Sequence, residues 1–571
     1  MADCDEIVTS CGLQPVARPA FVCRVMRLRS QCNLARLQWL LIGAILALHS
    51  AQNTQAQEDL SDSPDVESSG EVMRLEPTLY VKEYRVVGAK QLPPAAVEMA
   101  VYNYLGPGRT VNDIEAARLA LEAAYKEAGY QTVTVSVPEQ RGARGVIVLK
   151  VDEVPVGRLR VVGAKHFDIE KIKARAKSLQ EGTVPNFNDV QRDLIALNQK
   201  ADLRVTPELK PGALPGTVDV DLVVEDQFPF HGRIELNNRY SANTEPLRLD
   251  VSARYENLWQ LGHTIGAAFQ IAPQDPENAT VYSGYYIAPV PGVDWLSVMA
   301  QGIRQNSNVS TLGGSAVVGN GYIIGGRLLF ELPGRTGFFQ NASFGLDYKN
   351  FEQDISFGDE VSNAPIEYWP FVASYNAFWL GTGYDVQLDA AITFHFRGMG
   401  SNEVDFDNRR FDATGNFVYL RGTLGHTRDL PLGFQIFGQV QGQATNNSLV
   451  DSEQFAAGGL NTVRGYLEGE VIGDSGIVGS LELRTPSLAG WLKRADTEAR
   501  LFGFIEGGAT YINNPLPEQT DQFSLWSVGV GGSVKVLGWL NGELVMGVPQ
   551  ISQSPTNAGQ PLFTFRVWAE L

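Results

Sequence analysis

The segment Ile477-Val478-Gly479-Ser480-Leu481-Glu482-Leu483-Arg484 has Ile477, Leu481 and Leu483 in one phase and Ser480, Glu482 and Arg484 in the other. This period of two residues is typical of a β-strand whose faces meet different surroundings. Similar alternation recurs from about His231 to the C-terminus, as over 247–256 and 563–571. A soluble β-sandwich also alternates. About sixteen such segments of roughly ten residues favour a transmembrane β-barrel of antiparallel strands over 227–571, apolar outside and charged inside.

Composition excludes some functions. A formal net charge of -18 argues against nucleic acid as a partner, because that partner requires clustered Lys and Arg. The 58 glycines and 10% aromatic residues fit a barrel and a soluble acidic enzyme equally. The six histidines are scattered, so we predict neither a metal site nor a cofactor. All four cysteines precede residue 37, which suits a chain that crosses an oxidising periplasm unfolded: Cys4, Cys11, Cys23 and Cys32.

The N-terminal residues have the order of a secretory signal peptide. Leu37 to Leu48 are apolar except for Gln38. The basic residues Arg24, Arg27, Arg29 and Arg36 precede this run, and Thr54-Gln55-Ala56 follows it. This run is shorter than the about 20 apolar residues that span a bilayer. We therefore predict a signal peptide over 1–56, cleaved after Ala56, with Met26 as an alternative start. The acidic, Ser-rich residues 57–77 are predicted to be a flexible linker.

A repeat precedes the predicted barrel. Arg85-Val86-Val87-Gly88-Ala89-Lys90 recurs as Arg160-Val161-Val162-Gly163-Ala164-Lys165, each at the end of a predicted strand. The periodicities predict the order β-α-α-β-β twice, with strands at 81–87, 132–137, 146–151, 156–162, 203–209 and 217–224 and helices at 94–104, 111–128, 168–179 and 188–198.

This order, over 78–153 and 154–226, resembles two POTRA modules, the periplasmic repeats found beside protein-transporting barrels. Gly129-Tyr130 and Val137-Pro138-Glu139-Gln140 also resemble the first POTRA of two-partner secretion transporters. The exposed edge of such a small sheet could bind an unfolded polypeptide as an added strand. Alternatively, the two modules act only as spacers.

The connection at about 446–476 joins the predicted eleventh and twelfth strands and would be the sixth extracellular loop. Loops this long are usually functional. It contains the glycine-rich stretch Phe455-Ala456-Ala457-Gly458-Gly459-Leu460-Asn461-Thr462-Val463-Arg464-Gly465-Tyr466. In the predicted thirteenth strand Glu506 has the phase of Phe504 and faces the lumen, where Arg464 from an inserted loop could bind it. Alternatively, Arg464 is exposed and Glu506 lines a wet pore.

The chain resembles TpsB-type transporters of two-partner secretion, the hemolysin secretion/activation family, over 78–571. The most specific feature is Val463-Arg464-Gly465-Tyr466, supported by Gly458 and Gly459, in the sixth loop after two POTRA-like repeats. The resemblance implies that this loop enters the barrel. It also implies that Arg464 meets an acidic residue in a Phe-x-Asp motif of the thirteenth strand, here Phe504-Ile505-Glu506 with Glu in place of Asp.

The resemblance implies a transporter without enzymatic activity or cofactor in the bacterial outer membrane, with its POTRA domains in the periplasm. Its partners would be an unfolded exoprotein such as an adhesin or hemolysin, outer-membrane lipid, and the barrel-assembly machinery. That machinery commonly reads a C-terminal Phe or Trp, where this chain has Leu571. Three alternatives stay open: an assembly insertase of the same superfamily, a passive porin, and an outer-membrane enzyme.

Overall fold

The computed structural model describes residues 78–571 apart from 141–142, 199–201, 243, 278, 311–316, 353, 358–359 and 493–496. The predicted signal peptide and linker, residues 1–77, lie outside the described residues. Among the residues described, no helix has both the length and the apolar content needed to cross a membrane.

The first module is an α+β unit with a three-stranded sheet. Its central strand, Val146–Asp152, pairs in parallel with Glu83–Val87 and antiparallel with Thr134–Ser136. Helices Pro94–Tyr102 and Val111–Glu127 cover this sheet, with a short 3-10 turn at Ala143–Gly145. Thr110 caps the second helix through a reciprocal pair of hydrogen bonds with Asp113.

One feature of this module was not predicted. The expected strand at 81–87 is divided, and its first piece, Leu79–Val81, pairs instead with a short strand at Gly106–Arg109. Gly106 and Gly108 have φ angles of 117° and 71°, which glycine adopts at little steric cost. These two glycines turn the chain between the helices into an edge that helical periodicity could not reveal.

The second module repeats the plan. Its sheet has the order Val156–Val162, Val218–Asp226, Leu203–Pro211, with helices Ile169–Arg175 and Phe187–Leu197 and a 3-10 turn at Lys177–Leu179. A Cβ on Gly88 or on Gly163 would lie 2.3 or 2.4 Å from the carbonyl oxygen of Val151 or Val224. The repeated glycine therefore marks the same close approach of the first strand to the last.

An acidic residue at the C-terminal end of the last strand holds this turn in each module. Glu153 accepts hydrogen bonds from the backbone N–H groups of Lys90 and Gln91, and Asp226 accepts three from residues 165–167. Burial opposes ionisation of Asp226, but the three N–H donors outweigh it and lower the pKa of its carboxyl group. Burial, reinforced by Glu153, raises the pKa of Tyr125 well above its usual range.

The remainder of the chain forms a closed antiparallel barrel of sixteen strands, as predicted. In order, they are Phe230–Asn237, Arg248–Leu258, His263–Ile271, Ala279–Pro289, Leu296–Ser310, Val317–Glu331, Phe338–Glu352, Ile366–Tyr368 continued by Phe371–Gly381, Tyr384–His395, Phe417–Asp429, Gln435–Ala444, Ser475–Arg484, Glu498–Tyr511, Gln522–Val536, Leu540–Pro549 and Leu562–Glu570. The first strand pairs with the sixteenth, which closes the sheet.

The two faces of the wall follow the predicted alternation. Leu481 and Leu483 are exposed on the outside, whereas Glu482 is buried inside. In the last strand Phe563 and Val567 are exposed, and Arg566 and Trp568 are buried. The wall is therefore apolar towards its surroundings and charged towards its interior, as a barrel in lipid requires.

The barrel ends differ in what they carry. At one end Gln260, in the turn after the second strand, accepts a hydrogen bond from the backbone N–H of Asp168 and donates one to the carbonyl of His166. These contacts join the second module to the barrel.

The connections between the barrel strands contain short elements of their own. These are helices at Glu403–Arg409 and Ala489–Leu492, 3-10 turns at Pro431–Gly433 and Asp451–Glu453, and hairpins pairing Asp354–Phe357 with Glu360–Asn363 and Phe455–Ala457 with Val471–Gly473.

The connection after the eleventh strand, the sixth loop, starts at the end opposite the modules. Its two short strands, Phe455–Ala457 and Val471–Gly473, form a hairpin whose tip lies inside the barrel. Val463 and Tyr466 are at most 1% exposed. This hairpin brings the glycine-rich stretch against the inner wall.

Candidate functional site

Arg464 binds two carboxylates of the inner wall. Its Nη2 and Nε atoms lie 2.6 and 2.8 Å from Oε1 of Glu506, and its Nη1 lies 2.7 Å from Oε2 of Glu482. The backbone N–H of Arg464 donates to the other oxygen of Glu506 at 2.6 Å. All three side chains are at most 8% exposed. One guanidinium therefore ties the loop to the twelfth and thirteenth strands, with the directionality of charge-assisted bonds.

Register explains why both carboxylates reach one guanidinium. Glu482 stands opposite Phe504, and Ser480 stands opposite Glu506. The two acids are thus diagonal neighbours on the lumenal face of adjacent strands. Ser480 donates a hydrogen bond to Glu506, and Arg484 donates one to Glu482, so each carboxylate has a second donor from the wall. Glu482 was not predicted as a partner, although its phase already placed it in the lumen.

Aromatic rings support the guanidinium from one side. The guanidinium carbon of Arg464 lies 3.7 Å from the ring centroid of Phe504 and 5.5 Å from that of Phe502. A Cβ added at Gly529 or Gly531, opposite these rings on the fourteenth strand, would approach ring atoms to 2.2 or 2.3 Å. The two glycines therefore leave room for the rings, and the cation lies over an aromatic face that attracts it.

The backbone of the loop lies directly on the fifteenth strand. Gly465 has a φ angle of 97°, and a Cβ added at Gly547 would lie 2.5 Å from the Gly465 nitrogen. Glycine at both positions permits this approach. Val463 lies in a buried apolar cluster beside the site with Phe455, Ala457, Tyr466, Val471, Val478 and Leu525.

The other predicted residues shape and hold the tip. The Tyr466 hydroxyl lies 2.8 Å from the carbonyl oxygen of Ile551 and accepts a hydrogen bond from the backbone N–H of Trp526 at 3.3 Å. Gly458 and Gly459 have φ angles of 106° and 103°, and a Cβ at Gly459 would lie 2.2 Å from a carboxylate oxygen of Glu468. Glu468, which sequence reasoning missed, binds Arg239 at 2.9 Å and so links the tip to the first loop.

The described residues also contain one group with metal-ligand chemistry at the junction of the second module and the barrel. Ligand atoms of Asp202, His231 and Glu256 all lie within 4.8 Å of one another. Nε2 of His231 lies 3.0 Å from Asp202, and Arg254 donates to Glu256 at 3.2 Å. These protein contacts account for the group, since the Arg254 cation already lies against one of its carboxylates.

Two family models match the chain. The ShlB-type POTRA domain matches residues 79–153. The haemolysin secretion/activation protein ShlB/FhaC/HecB model matches residues 361–534, which include the sixth loop, Glu482 and Glu506. The matches therefore cover the first module and the part of the barrel that holds Arg464.

Similar proteins agree with these models. The outer membrane transporter CdiB of Dickeya dadantii (strain 3937) is 23% identical over 447 residues, which cover 74% of each chain. The structure of CdiB from Escherichia coli has a TM-score of 0.65 at 19% identity and covers 89% of this chain and 93% of that one. BamA from Haemophilus ducreyi lacking POTRA domains 1–3 gives 0.50 at 12% identity, covering 86% of this chain and 100% of that one. At such identities the structural matches show the fold alone.

Proposed function

Because the chain belongs to the haemolysin secretion/activation family of outer-membrane transporters of two-partner secretion, we propose how it performs that transport. Its N-terminal modules capture an unfolded partner exoprotein in the periplasm, and the exoprotein then crosses the barrel to the cell surface. The observation that carries this proposal is the site at Arg464, where a loop inside the barrel is bound to the wall by a buried charge cluster.

The loop must move before a polypeptide can pass along its side of the lumen. Its tip occupies part of the lumen and contacts the inner face of strands twelve to fifteen with Arg464, Gly465 and Tyr466. Removing one partner from a buried ion pair typically costs about 3–5 kcal/mol. The contact is therefore a latch that stays closed at rest, and the arriving exoprotein provides the interactions that replace it.

The first module offers the more accessible edge for capture. Its strand Glu83–Val87 lies at the edge of the sheet and pairs on one side with Val146–Asp152. In the second module the edge strands are partly covered: Asn198 bonds both backbone groups of Val205, and Val156 bonds Gly182 and Thr183. We assign capture by strand addition to the Glu83–Val87 edge, since no backbone hydrogen bond among the described residues occupies the outer side of this strand, where an extended chain could pair.

Assembly or insertion of other barrels is the second candidate, because the fold also matches BamA. The match of the ShlB/FhaC/HecB model over the latch region favours secretion. An insertase and a secretion transporter would differ in what their loss removes from the cell. Loss of an insertase depletes many barrels from the outer membrane, whereas loss of this transporter depletes one or a few exoproteins from the surface.

Comparison of the surface proteome with and without the chain tests the proposal. We expect one large exoprotein to disappear while other barrels keep their abundance. A variant lacking residues 78–226 should insert but fail to export, because the capture modules are gone. Export at the normal level by this variant would contradict the capture role, and general loss of barrels would favour the insertase.

We also propose outer-membrane lipid and the barrel-assembly machinery as partners. The exposed outer residues, such as Leu481 and Phe563, would contact acyl chains. Leu571 is 81% exposed, and its backbone N–H bonds the carbonyl of Gly232. Its apolar side chain thus continues the outward phase of the last strand and remains available to the machinery. Leu571→Phe should insert as well as the natural chain, as measured by its heat-modifiable fraction.

A further inference from the structure

We propose that the sixth loop has a second latch, centred on Glu453, which holds the loop at the mouth of the barrel independently of Arg464. Glu453 ends the 3-10 turn Asp451–Glu453, near the start of the loop. Its side chain is fully buried. The proposal rests on the proposed transport function, in which the loop must leave its resting position.

Three side chains of the wall donate hydrogen bonds to this carboxylate. Lys349 Nζ lies 2.5 Å and the Tyr368 hydroxyl 2.6 Å from one oxygen, and the Tyr419 hydroxyl lies 2.7 Å from the other. They belong to the seventh, eighth and tenth strands. The ammonium group of Lys349 and the two phenols therefore form a buried receptor that is specific for the Glu453 carboxylate. This receptor fits the loop in one position.

The backbone of the same turn is also held. The Gln443 side-chain amide donates to the carbonyl of Glu453 at 2.9 Å. Arg409, in the helix of the fifth loop, lies 3.1 Å from Asp451 and donates to the carbonyl of Ala364 in the fourth loop at 2.9 Å. The Glu453 latch therefore joins three loops at the end of the barrel through which an exported chain must leave.

Apolar packing excludes water from this latch. Tyr368 and Tyr419 belong to a buried cluster that includes Phe351, Ile366, Phe406, Phe417, Leu449 and Val450. This cluster takes side chains from the fifth-loop helix and from the sixth loop as well as from the wall. An unpaired Glu453 carboxylate would be strongly disfavoured there, because its burial keeps it from water and Lys349 is the cation that binds it.

The two latches are separate in structure. Arg464 binds the twelfth and thirteenth strands, and Glu453 binds the seventh, eighth and tenth. Within the described part of the chain, no hydrogen bond joins a side chain of one latch to a side chain of the other. Besides the contacts of Gly465, Tyr466 and Glu468 described above, the loop is thus fixed to the wall by two separate charge clusters, and opening the barrel requires both clusters to release.

Ion conductance of the purified full-length protein in planar bilayers tests the second latch without any exported partner. Glu453→Gln removes the ion pair and leaves Lys349 buried without its anion. We expect the open-channel probability to rise about tenfold, because the closed position loses a charge-assisted hydrogen bond. Glu518→Gln, an exposed carboxylate in the seventh loop, is the matched control and should behave as the natural chain.

Combination with the first latch gives the sharper result. Arg464→Ala should also raise conductance, and Arg464→Ala with Glu453→Gln should raise it by more than either change alone. Lys349→Glu with Glu453→Lys should return conductance toward the natural level. Tyr368→Phe and Tyr419→Phe, which keep the rings, supply milder variants should Glu453→Gln fail to fold, as judged by heat-modifiable gel mobility.

Two results would overturn the proposal. One is natural conductance in folded Glu453→Gln and in both Tyr→Phe variants. The other is an Arg464→Ala channel as open as the double variant, which would mean that Glu453 holds nothing by itself. Because conductance needs no exoprotein, a wrong export function would leave these outcomes unchanged, while loss of export alone would not decide between the latches.

Discussion

The two places where the sixth loop meets the wall use opposite charges. At the first, the loop supplies a cation, Arg464, and the wall supplies the carboxylates Glu482 and Glu506. At the second, the loop supplies a carboxylate, Glu453, and the wall supplies Lys349 and two phenols. The two contacts of the loop therefore cannot be interchanged, since Glu453 at the first latch would face carboxylates and Arg464 at the second would face Lys349.

The two latches also differ in rigidity. The wall residues that bind Arg464 lie on two adjacent strands that are paired without interruption. Close contact between two glycines fixes the backbone of Gly465 against Gly547. The turn that carries Glu453 is held partly by another loop, because Arg409 of the fifth loop binds Asp451 in that turn. Local opening of a loop costs less free energy than local opening of paired strands. We therefore expect the Glu453 latch to release first and the Arg464 latch to set the height of the opening barrier.

Arg464→Ala should have the largest effect. It leaves the Glu506 carboxylate buried without its cation, whereas Glu482 keeps Arg484. Loss of this ion pair should destabilise the closed position of the loop by about 3–5 kcal/mol. Because the loop then has no defined resting position from which the exoprotein can displace it, we expect strong loss of secretion although ions pass more readily. The barrel should still insert, and the measurement is surface exoprotein per heat-modifiable barrel. Arg464→Glu with Glu506→Arg should recover part of the secretion, and only part, because the new loop carboxylate would face Glu482.

Arg335→Ala is the matched control for this change. Arg335 is an exposed arginine in the turn after the sixth strand, at the end of the barrel that carries the modules. Its loss removes the same charge without touching the loop, so secretion should stay normal. Normal secretion by Arg464→Ala would remove the first latch from the mechanism.

The comparison also shows what a sequence can reveal. Strand phase predicts a lumenal Glu506 and strand counting places Arg464 in the sixth loop, because both follow from a period of two residues. The family resemblance, and not the period, implied that the two residues meet. The sixteen-strand barrel follows from the same period. Glu482 has the required phase too, but its contact with Arg464 depends on the register in which it pairs with Phe504, and no local pattern specifies that register.

Glu453 could not be found in this way. It lies in Asp451-Ser452-Glu453-Gln454, a polar run with the composition of an exposed turn. Lys349 precedes it by 104 positions, and only the folding of the loop into the barrel brings the two together. The short strand at Gly106–Arg109 was missed for a related reason, because its pairing with Leu79–Val81 is tertiary.

Gly547→Ala should have an intermediate effect and act on one latch only. A Cβ there would meet the Gly465 nitrogen at 2.5 Å, so the loop backbone must rise from the fifteenth strand. Such overpacking typically costs about 1–3 kcal/mol. We expect faster proteolysis at the loop tip of the purified protein, with the conductance contribution of Glu453 unchanged.

Gly542→Ala provides the control on the same strand. A Cβ at Gly542 would lie 3.5 Å from a side-chain carbon of Val534, an ordinary contact distance. It should leave proteolysis of the loop at the natural rate. Equal protection of the loop in Gly547→Ala and Gly542→Ala would show that the tip does not need its close contact with the wall.

The smallest expected effect is the difference between two single-hydroxyl deletions, Tyr419→Phe and Tyr466→Phe. Tyr419 donates to the charged Glu453, whereas Tyr466 bonds neutral backbone groups. Hydrogen bonds to charged groups contribute about 1.5–3 kcal/mol and neutral ones about 0.5–1.5 kcal/mol. Tyr419→Phe should therefore open the loop more, by about 1 kcal/mol in proteolysis protection. An equal or reversed order would mean that the charge of Glu453 adds nothing to the hold of its latch.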